Sequence, residues 1–483
     1  MFKNYKVGNF YLDDNQMQLI KNDENTLIIA GAGSGKSLTL IGKINYLIEN
    51  KICDPENILV ISFTNASVND LKEKIAYKLD ILTFHKLSIN ILKDVNFTYK
   101  LCSDNFLSYI IKEKLYTLST KNKKTILKYL KINSTYQNFI ESKQFISLIN
   151  NIESFINSFK TNNINRSHLT NIKLSNLEKN FLIIILNIYQ TYIQEKKSLS
   201  LLDFDDLIIY ATHYVSKANL KYKYIIIDEF QDTSLIRLNL IKEIYYLGNT
   251  KIIVVGDDWQ SIYRFSGCDL NIFLNFSSIF PNVKTLKLSN TYRNSRQLIE
   301  VASKFVQKNP KQIKKKLYSE IININPIIFV PYTNKIYCFK KLLNYLLNIS
   351  DNIIILSRNN NDIYSYLDND IKFTNNLIYY KNKELKFYTI HKSKGLEAKY
   401  VIVLNCNNNI LGFPNKIENN SITNKIFSSK EIKYAEERRL FYVALTRCKE
   451  QVFLVYDKNN PSVFIKEIIK IIKKQKNNIN FFK

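Results

Sequence analysis

Breakers are scarce in this sequence: only 10 glycines and 7 prolines stand among 483 residues. Flexible linkers therefore cannot mark domain boundaries, which have to be read from changes in residue pattern. Cysteine is sparse too. The six cysteines (Cys53, Cys102, Cys268, Cys338, Cys406 and Cys448) lie far apart, with no CxxC pair and no Cys/His cluster. That spacing excludes a zinc ribbon or a disulfide scaffold and fits a reducing, cytoplasmic compartment. Residues Met1 to Asn15 hold no secretory apolar segment. The longest apolar run, Phe181 to Leu186, falls far below the ~20 residues of a membrane span, so a soluble protein with no membrane partner is expected. No repeat recurs at a fixed period. Acidic residues are outnumbered, 42 Asp+Glu against 69 Lys+Arg, for a net charge of +27. This excess predicts attraction to a polyanion such as nucleic acid, although solubility and a coding bias toward Lys, Asn, Ile and Tyr account for part of it.

What is present is a globular chain, 46% apolar, long enough for about three domains. Residues 1–95 alternate short apolar runs (Thr26-Ile29, Ile58-Phe63) with helical patterns, the signature of an α/β domain with a parallel sheet. From 96 to 200 the strand signals fade, glycine is absent and Lys/Asn-rich helical patterns dominate, which reads as a helical insertion. The α/β character resumes over 201–285 with Tyr224-Ile227 and Ile252-Val255. A second α/β segment over 286–465 offers Ile353-Leu356, Phe387-Ile390 and Tyr400-Leu404 as strands, and 466–483 reads as a basic tail.

Three stretches carry chemistry. Ala30-Gly31-Ala32-Gly33-Ser34-Gly35-Lys36-Ser37 joins a buried strand to a helical pattern, Leu38 to Ile48. Strand, glycine loop and helix make an anion socket of backbone N–H groups. Lys36 would reach β/γ-phosphates, and the Ser37 hydroxyl would help hold Mg²⁺. The first position, usually Gly, is Ala30, small enough for the turn. Roughly 190 residues later, the strand Ile225-Ile226-Ile227 delivers Asp228 and Glu229 at its end. In P-loop ATPases the first such carboxylate holds Mg²⁺ and the second orients or deprotonates the attacking water. The third stretch, Val255 to Phe265, runs from a strand into a polar loop holding the only Trp of the chain. Gln260 is suited to sensing a γ-phosphate. Trp259 and Tyr263 are suited to stacking on bases, with a place in the core as the other reading of Trp259.

These stretches resemble superfamily 1A DNA helicases of the UvrD/Rep type, in particular the motor portion of the helicase IV branch. Gly256 to Gly267 and Asn290-Thr291-Tyr292-Arg293 carry much of the likeness, and matching motifs run from about 11 to 460. The resemblance implies two RecA-like domains with ATP and Mg²⁺ in the cleft between them, and a helical 1B insertion in the first. It implies that Gln16, in Leu12-Asp13-Asp14-Asn15-Gln16, reads adenine and that Tyr292 stacks on it. Glu397, in His391-Lys392-Ser393-Lys394-Gly395-Leu396-Glu397, is expected at the ribose. Arg293 and Arg447 are expected to act as arginine fingers. Phe63, Thr64 and Asn65, His85 in Thr83-Phe84-His85, and His391 are expected to contact single-stranded DNA, with a core role also open for His85. Leu202-Asp203-Phe204-Asp205-Asp206-Leu207 matches a family landmark where the chain returns to the first domain. Arg438 and Arg439 also read as exposed helix charges.

Two family parts are missing from the pattern. Only about 95 residues separate Arg293 from His391, too few for an inserted 2B domain, and with the glutamine motif starting near residue 11 no extra N-terminal domain is expected. The activity implied is an ATP-dependent helicase or translocase moving 3′→5′ on single-stranded DNA and at single/double-strand junctions, in repair, replication or recombination. Other readings are an ATPase subunit working with a protein partner, such as a nuclease or an anti-phage complex, and a DNA-binding scaffold that no longer hydrolyses ATP.

Overall fold

In a computed structural model, the residues described are 5–164, 166–170, 172–416, 421–427, 432–475 and 478–482. Six strands form the first sheet: β1 (Asn25–Ile29), β2 (Ile58–Ile61), β3 (Asp80–Leu82), β4 (Tyr224–Ile227), β5 (Lys251–Gly256) and β6 (Val283–Lys287). They lie in the order β6-β1-β5-β4-β2-β3, and every neighbouring pair is parallel. β1, β2 and β4 are buried at every position. Helices cover both faces of such a sheet, which is why these strands read as unbroken apolar runs rather than alternating ones.

The chain leaves this sheet for a helical body. Its first and last residues are held together: Lys100–Leu101 pairs in parallel with Leu201–Leu202. Between them, helices Phe106–Tyr116, Thr120–Leu130, Lys143–Thr161 and Asn176–Ser198 close on their own core of Ile111, Phe155, Phe181 and Ile185. The root of this body is a buried square of charges. Lys160 and Lys196 each pair with Asp203 and with Asp206, and the Tyr192 hydroxyl donates to Asp203 at 2.7 Å. Burial alone would lower Lys160, but the neighbouring carboxylates outweigh it and raise its pKa. Asp203 is likewise lowered by the two lysines against its burial. Four paired charges that satisfy one another fix the orientation of the helices they join.

The second sheet contains β7 (Ile327–Tyr332), β8 (Ile353–Ser357), β9 (Lys372–Thr374), β10 (Leu377–Tyr380), β11 (Lys383–Thr389), β12 (Ala398–Val403), β13 (Cys448–Asp457) and β14 (Asn480–Phe481). Its order is β9-β10-β11-β8-β12-β13-β7-β14. The β9–β10–β11 meander is antiparallel and the rest is parallel.

Two sequence expectations are corrected here. Residues 466–475 are not a loose tail: helix Val463–Lys474 buries Phe464, Ile465, Ile468, Ile471 and Ile472. Asn480–Phe481 then pairs with β7 as an edge strand. Lysines on the exposed face of this helix mask the apolar stripe in the composition. The boundary at 286 also falls inside β6, which belongs to the first sheet. The sheets are not separate bodies, since Ala32, Trp259 and Ile262 of the first share one core with Leu298, Phe441 and Tyr442 of the second. Helix Ser421–Phe427 leans on the helical body, where Ile422 is buried and Lys425 pairs with Glu178 at 2.8 Å.

Candidate nucleotide site and nucleic-acid interface

The phosphate loop follows β1. Its Ala30 is fully buried, and its N–H donates to the Gly256 carbonyl at 2.9 Å, so the methyl group is accommodated at the start of the loop. Gly33 and Gly35 have φ of 69° and 73°, the left-handed region where glycine is strongly favoured. A side chain would also collide: a Cβ on Gly33 would lie 2.5 Å from Arg293 Cβ, and one on Gly35 2.8 Å from Gln16 Nε2. Gly31 and Ala32 line the same turn, and Ser34 points a buried hydroxyl with no partner among the described residues. Lys36 and Ser37 open helix Lys36–Glu49. Lys36 Nζ meets Glu229 Oε1 at 2.7 Å.

Asp228 and Glu229 stand at the end of β4. Glu229 has φ 52°, an unusual conformation for a residue with a side chain. Its N–H donates to Asp228 Oδ1 at 2.9 Å. Burial, reinforced by the adjacent Glu229, raises the Asp228 carboxyl to about 6. Glu229 shifts the other way. Burial opposes its ionisation, but Lys36 and Lys394 override that and hold it low. Gln231 Nε2 donates to Glu229 Oε2 at 2.6 Å. Lys394 lies 3.4 Å from Glu229 and pairs with Asp232. Sequence reasoning missed Lys394 and Asp232; the second lysine of the His391 to Glu397 run was the available signal.

The loop after β5 carries the remaining first-domain chemistry. Gln260 Nε2 donates to Asp257 Oδ2 at 2.6 Å, and Gln260 Oε1 accepts from Arg447 Nη2 at 3.0 Å. Arg447 reaches this point from the second domain with 1% of its surface exposed. Burial, with Arg293 nearby, lowers its guanidinium to about 9. Two neighbouring guanidiniums favour an anion between them. Arg293 Nε meets Glu397 Oε2 at 2.7 Å, and Lys449 takes the other Glu397 oxygen at 2.6 Å.

Near the loop, Gln16 is 1% exposed. Its Oε1 accepts from the Asp13 N–H at 3.0 Å and its Nε2 donates to the Thr39 hydroxyl at 3.0 Å. Tyr292 is 54% exposed, lies beside Gly35 and donates to Asp13 Oδ2 at 2.5 Å. The structure thus gathers Gln16, Tyr292, Lys36, Ser37, Asp228, Glu229, Gln260, Arg293, Glu397 and Arg447 around one cleft.

Trp259 is the clear correction. It is fully buried, its Nε1 donates to the Ile313 carbonyl at 3.1 Å, and its ring stands edge-on to Tyr442 at 5.4 Å. A strap that comes later in the chain covers it, so Trp259 presents no face to a base. The exposed aromatic of this loop is Phe265, 52% exposed and 5.5 Å from the His391 ring. Sequence reasoning missed it. Its setting between Arg264 and Ser266-Gly267, in a short turn, was the signal. Tyr263 is half-buried and donates to the His391 carbonyl at 2.9 Å. Burial, with Arg358 nearby, lowers His391 to about 4. Burial and Arg237 do the same to His85, so both sites favour the neutral imidazole. His85 packs against Phe204 at 5.4 Å. Thr64 and Asn65 are exposed after β2, with Thr64 capping the next helix, while Phe63 is half-buried under Arg237. Arg438 and Arg439 are buried rather than exposed helix charges: Arg438 pairs with Glu467 at 2.6 Å, and Arg439 Nε donates to the Ser261 carbonyl at 2.6 Å.

Comparison with known proteins agrees with this geometry. The family described as the UvrD/REP helicase N-terminal domain matches residues 12–281, and the UvrD-like helicase C-terminal domain matches residues 375–459. DNA helicase IV of Escherichia coli is 27% identical over 485 residues, covering 95% of this chain and 70% of that protein. The ATP-dependent DNA helicase Rep of Buchnera aphidicola (subsp. Schizaphis graminum) is 31% identical over 366 residues, covering 72% of this chain and 51% of its own length. A probable DNA helicase II homolog of Mycoplasma capricolum is 31% identical over 334 residues, covering 64% of this chain and 42% of its own length.

Proposed function

The chain belongs to the UvrD/Rep helicase family, and on that premise we propose that it is an ATP-dependent DNA helicase or translocase moving 3′→5′ along single-stranded DNA. The observation that carries this reading is the bonding across the cleft. Second-domain Lys394 and Arg447 already hold first-domain Asp232 and Gln260. Cations from one sheet thus meet carboxylates and a sensor amide of the other, where a nucleotide would be read by both.

The residues fit ATP with Mg²⁺. Two left-handed glycines, the unpartnered Ser34 hydroxyl and Lys36 make a phosphate cradle. Among the described residues no cluster of three His, Cys, Asp or Glu could hold a metal by itself, so Ser37 and Asp228 would hold Mg²⁺ together with phosphate oxygens. Bound there, the ion would offset charge on the transferring phosphoryl group. Lys36 exchanges Glu229 for a phosphate oxygen, which frees that carboxylate to orient water. Gln260 presents its amide, and Arg293 and Arg447 close on the γ-phosphate side. Loss of that anion lets the two guanidiniums repel, and this opens the cleft.

Tyr263, Phe265, His391, Thr64 and Asn65 form the surface proposed for single-stranded DNA. Phe265 supplies the stacking face and the net positive charge supplies a salt-dependent background. Residues between Arg293 and His391 fold into helices Arg296–Val306 and Lys335–Leu347 and strands β7 to β11, which supports the reading that no 2B-type domain is inserted there.

The test is ATP hydrolysis with and without single-stranded DNA, with Lys36→Ala as control. Strong stimulation, abolished in the variant, is expected. Full activity in Lys36→Ala would overturn the phosphate-loop assignment. Tailed duplexes then fix polarity: unwinding from a 5′ tail alone would reverse it.

A further inference from the structure

A short strap, residues 309–318, follows helix Arg296–Val306 and runs back over the first domain. Its Leu317 packs against Gly31 of the phosphate loop. Its Gln312 and Ile313 donate to Asp258 at 3.2 and 2.8 Å, and the Ile313 carbonyl takes the Trp259 indole N–H. At its centre is Lys315, whose side chain is 3% exposed and meets Asp257 at 2.5 Å and Asp258 at 2.6 Å, both 0% exposed. The same ammonium donates to the Ala30 carbonyl at 3.0 Å and lies 4.4 Å over the Trp259 ring. Three donors therefore go to the start of the phosphate loop and to both carboxylates of the sensor loop.

Two adjacent buried carboxylates need a cation, and the described ion pairs give these two only Lys315. The consequence reaches the cleft in two steps. Asp257 is held on one oxygen by Lys315 and presents the other to Gln260 Nε2 at 2.6 Å. That bond fixes which way round the Gln260 amide sits, and Gln260 Oε1 then faces Arg447 at 3.0 Å. Take away the ammonium and the carboxylate pair must take up a proton. Asp257 then loses acceptor strength, and the Gln260 amide loses the contact that orders it.

We infer that Lys315 is a positioning residue for hydrolysis: through Asp257 it sets the orientation of Gln260 and hence its engagement with Arg447. The inference rests on the proposed sensing role of Gln260, and it adds a lysine outside the site residues named above, on a strap that ties the second domain's first helix to the phosphate loop. The ion pair is built into the resting protein, so its effect falls on turnover rather than on nucleotide capture.

The experiment compares steady-state ATP hydrolysis with saturating single-stranded DNA, and ATP binding by equilibrium titration, for Lys315→Met, Gln260→Ala and the double variant. Misplacing a catalytic group by a fraction of an ångström to an ångström can cost up to ~100-fold. Lys315→Met should lower kcat by about ten- to a hundredfold on that basis and leave ATP affinity within about threefold. The double variant should be no slower than Gln260→Ala, because both changes remove one function. Additive losses, or an unchanged kcat in Lys315→Met, overturn the inference. An unchanged kcat in Gln260→Ala overturns instead the sensing role beneath it.

Lys315→Met strips two buried carboxylates of their cation, so a second variant, Lys315→Met/Asp258→Asn, restores the original charge sum while leaving Asp257 without its lysine. A low kcat in that folded variant supports positioning, and recovery of wild-type kcat reduces Lys315 to charge balance and overturns it.

Discussion

The two working faces of this molecule are built on opposite plans. Around the nucleotide cleft, charged side chains are held in closed sets: Lys36 with Glu229, Lys394 with Asp232, Lys315 with Asp257 and Asp258, Arg447 with Gln260. On the surface proposed for DNA, Thr64, Asn65 and Phe265 are left open, and the two histidine sites favour the neutral imidazole. Closed sets can exchange partners when an anion arrives, so the cleft acts as a switch. Open side chains take whatever base or phosphate is presented, so the other face tolerates any sequence that slides past it.

That contrast breaks most severely at Glu229. Glu229→Gln should retain ATP binding while turnover falls by about 10²–10⁴-fold, the usual worth of a positioned base. Single-strand affinity should be untouched. Rapid-quench hydrolysis beside an equilibrium DNA titration checks both halves, and normal turnover would remove Glu229 from its role. Next in size is the residue that divides the two plans. Trp259→Ala should lower stability by about 3–5 kcal/mol, as for a buried aromatic truncated to a cavity, measured by denaturant unfolding. A stable variant that has lost only DNA affinity would restore the stacking reading. The smallest effect sharpens the comparison. Phe265→Ala should weaken single-strand binding by about 1–3 kcal/mol, the worth of one stacked base, with basal hydrolysis and stability unchanged. Fluorescence anisotropy with a short oligonucleotide measures it, and wild-type affinity would move the stacking role elsewhere.

The same contrast explains what the sequence disclosed. The glycines at 33 and 35, Lys36, and the carboxylates at the end of β4 were legible because phosphate and metal chemistry tolerate few other residue types in that order. The parallel sheets were legible from strands buried on both faces. The choice between Trp259 and Phe265 was not, since it depends on what covers each ring. The cover on Trp259 comes from Tyr442 and from Ile313 on the strap, both distant in the chain. Lys394 was hidden for a related reason: its partners, Asp232 and Glu229, are contributed by the other domain. The stretch 466–483 reads as a basic tail because lysines dilute the spacing of Ile468, Ile471 and Ile472, and only packing reveals the stripe.

The strand order of the first sheet also sets a timetable for making the protein. β1, which ends at the phosphate loop, is flanked by β5 and β6, and neither exists until residues 251–287 have been synthesised. A nascent chain therefore carries a strand destined for complete burial unpaired while the whole helical body is translated, and pairings of such long sequence separation form slowly. The helical body, closed by local contacts and pinned at its base, can fold first on the ribosome and hold the waiting halves of the sheet near each other. The helical body, which carries none of the proposed ATP-binding residues, would then act as the scaffold on which the ATP-binding sheet is assembled.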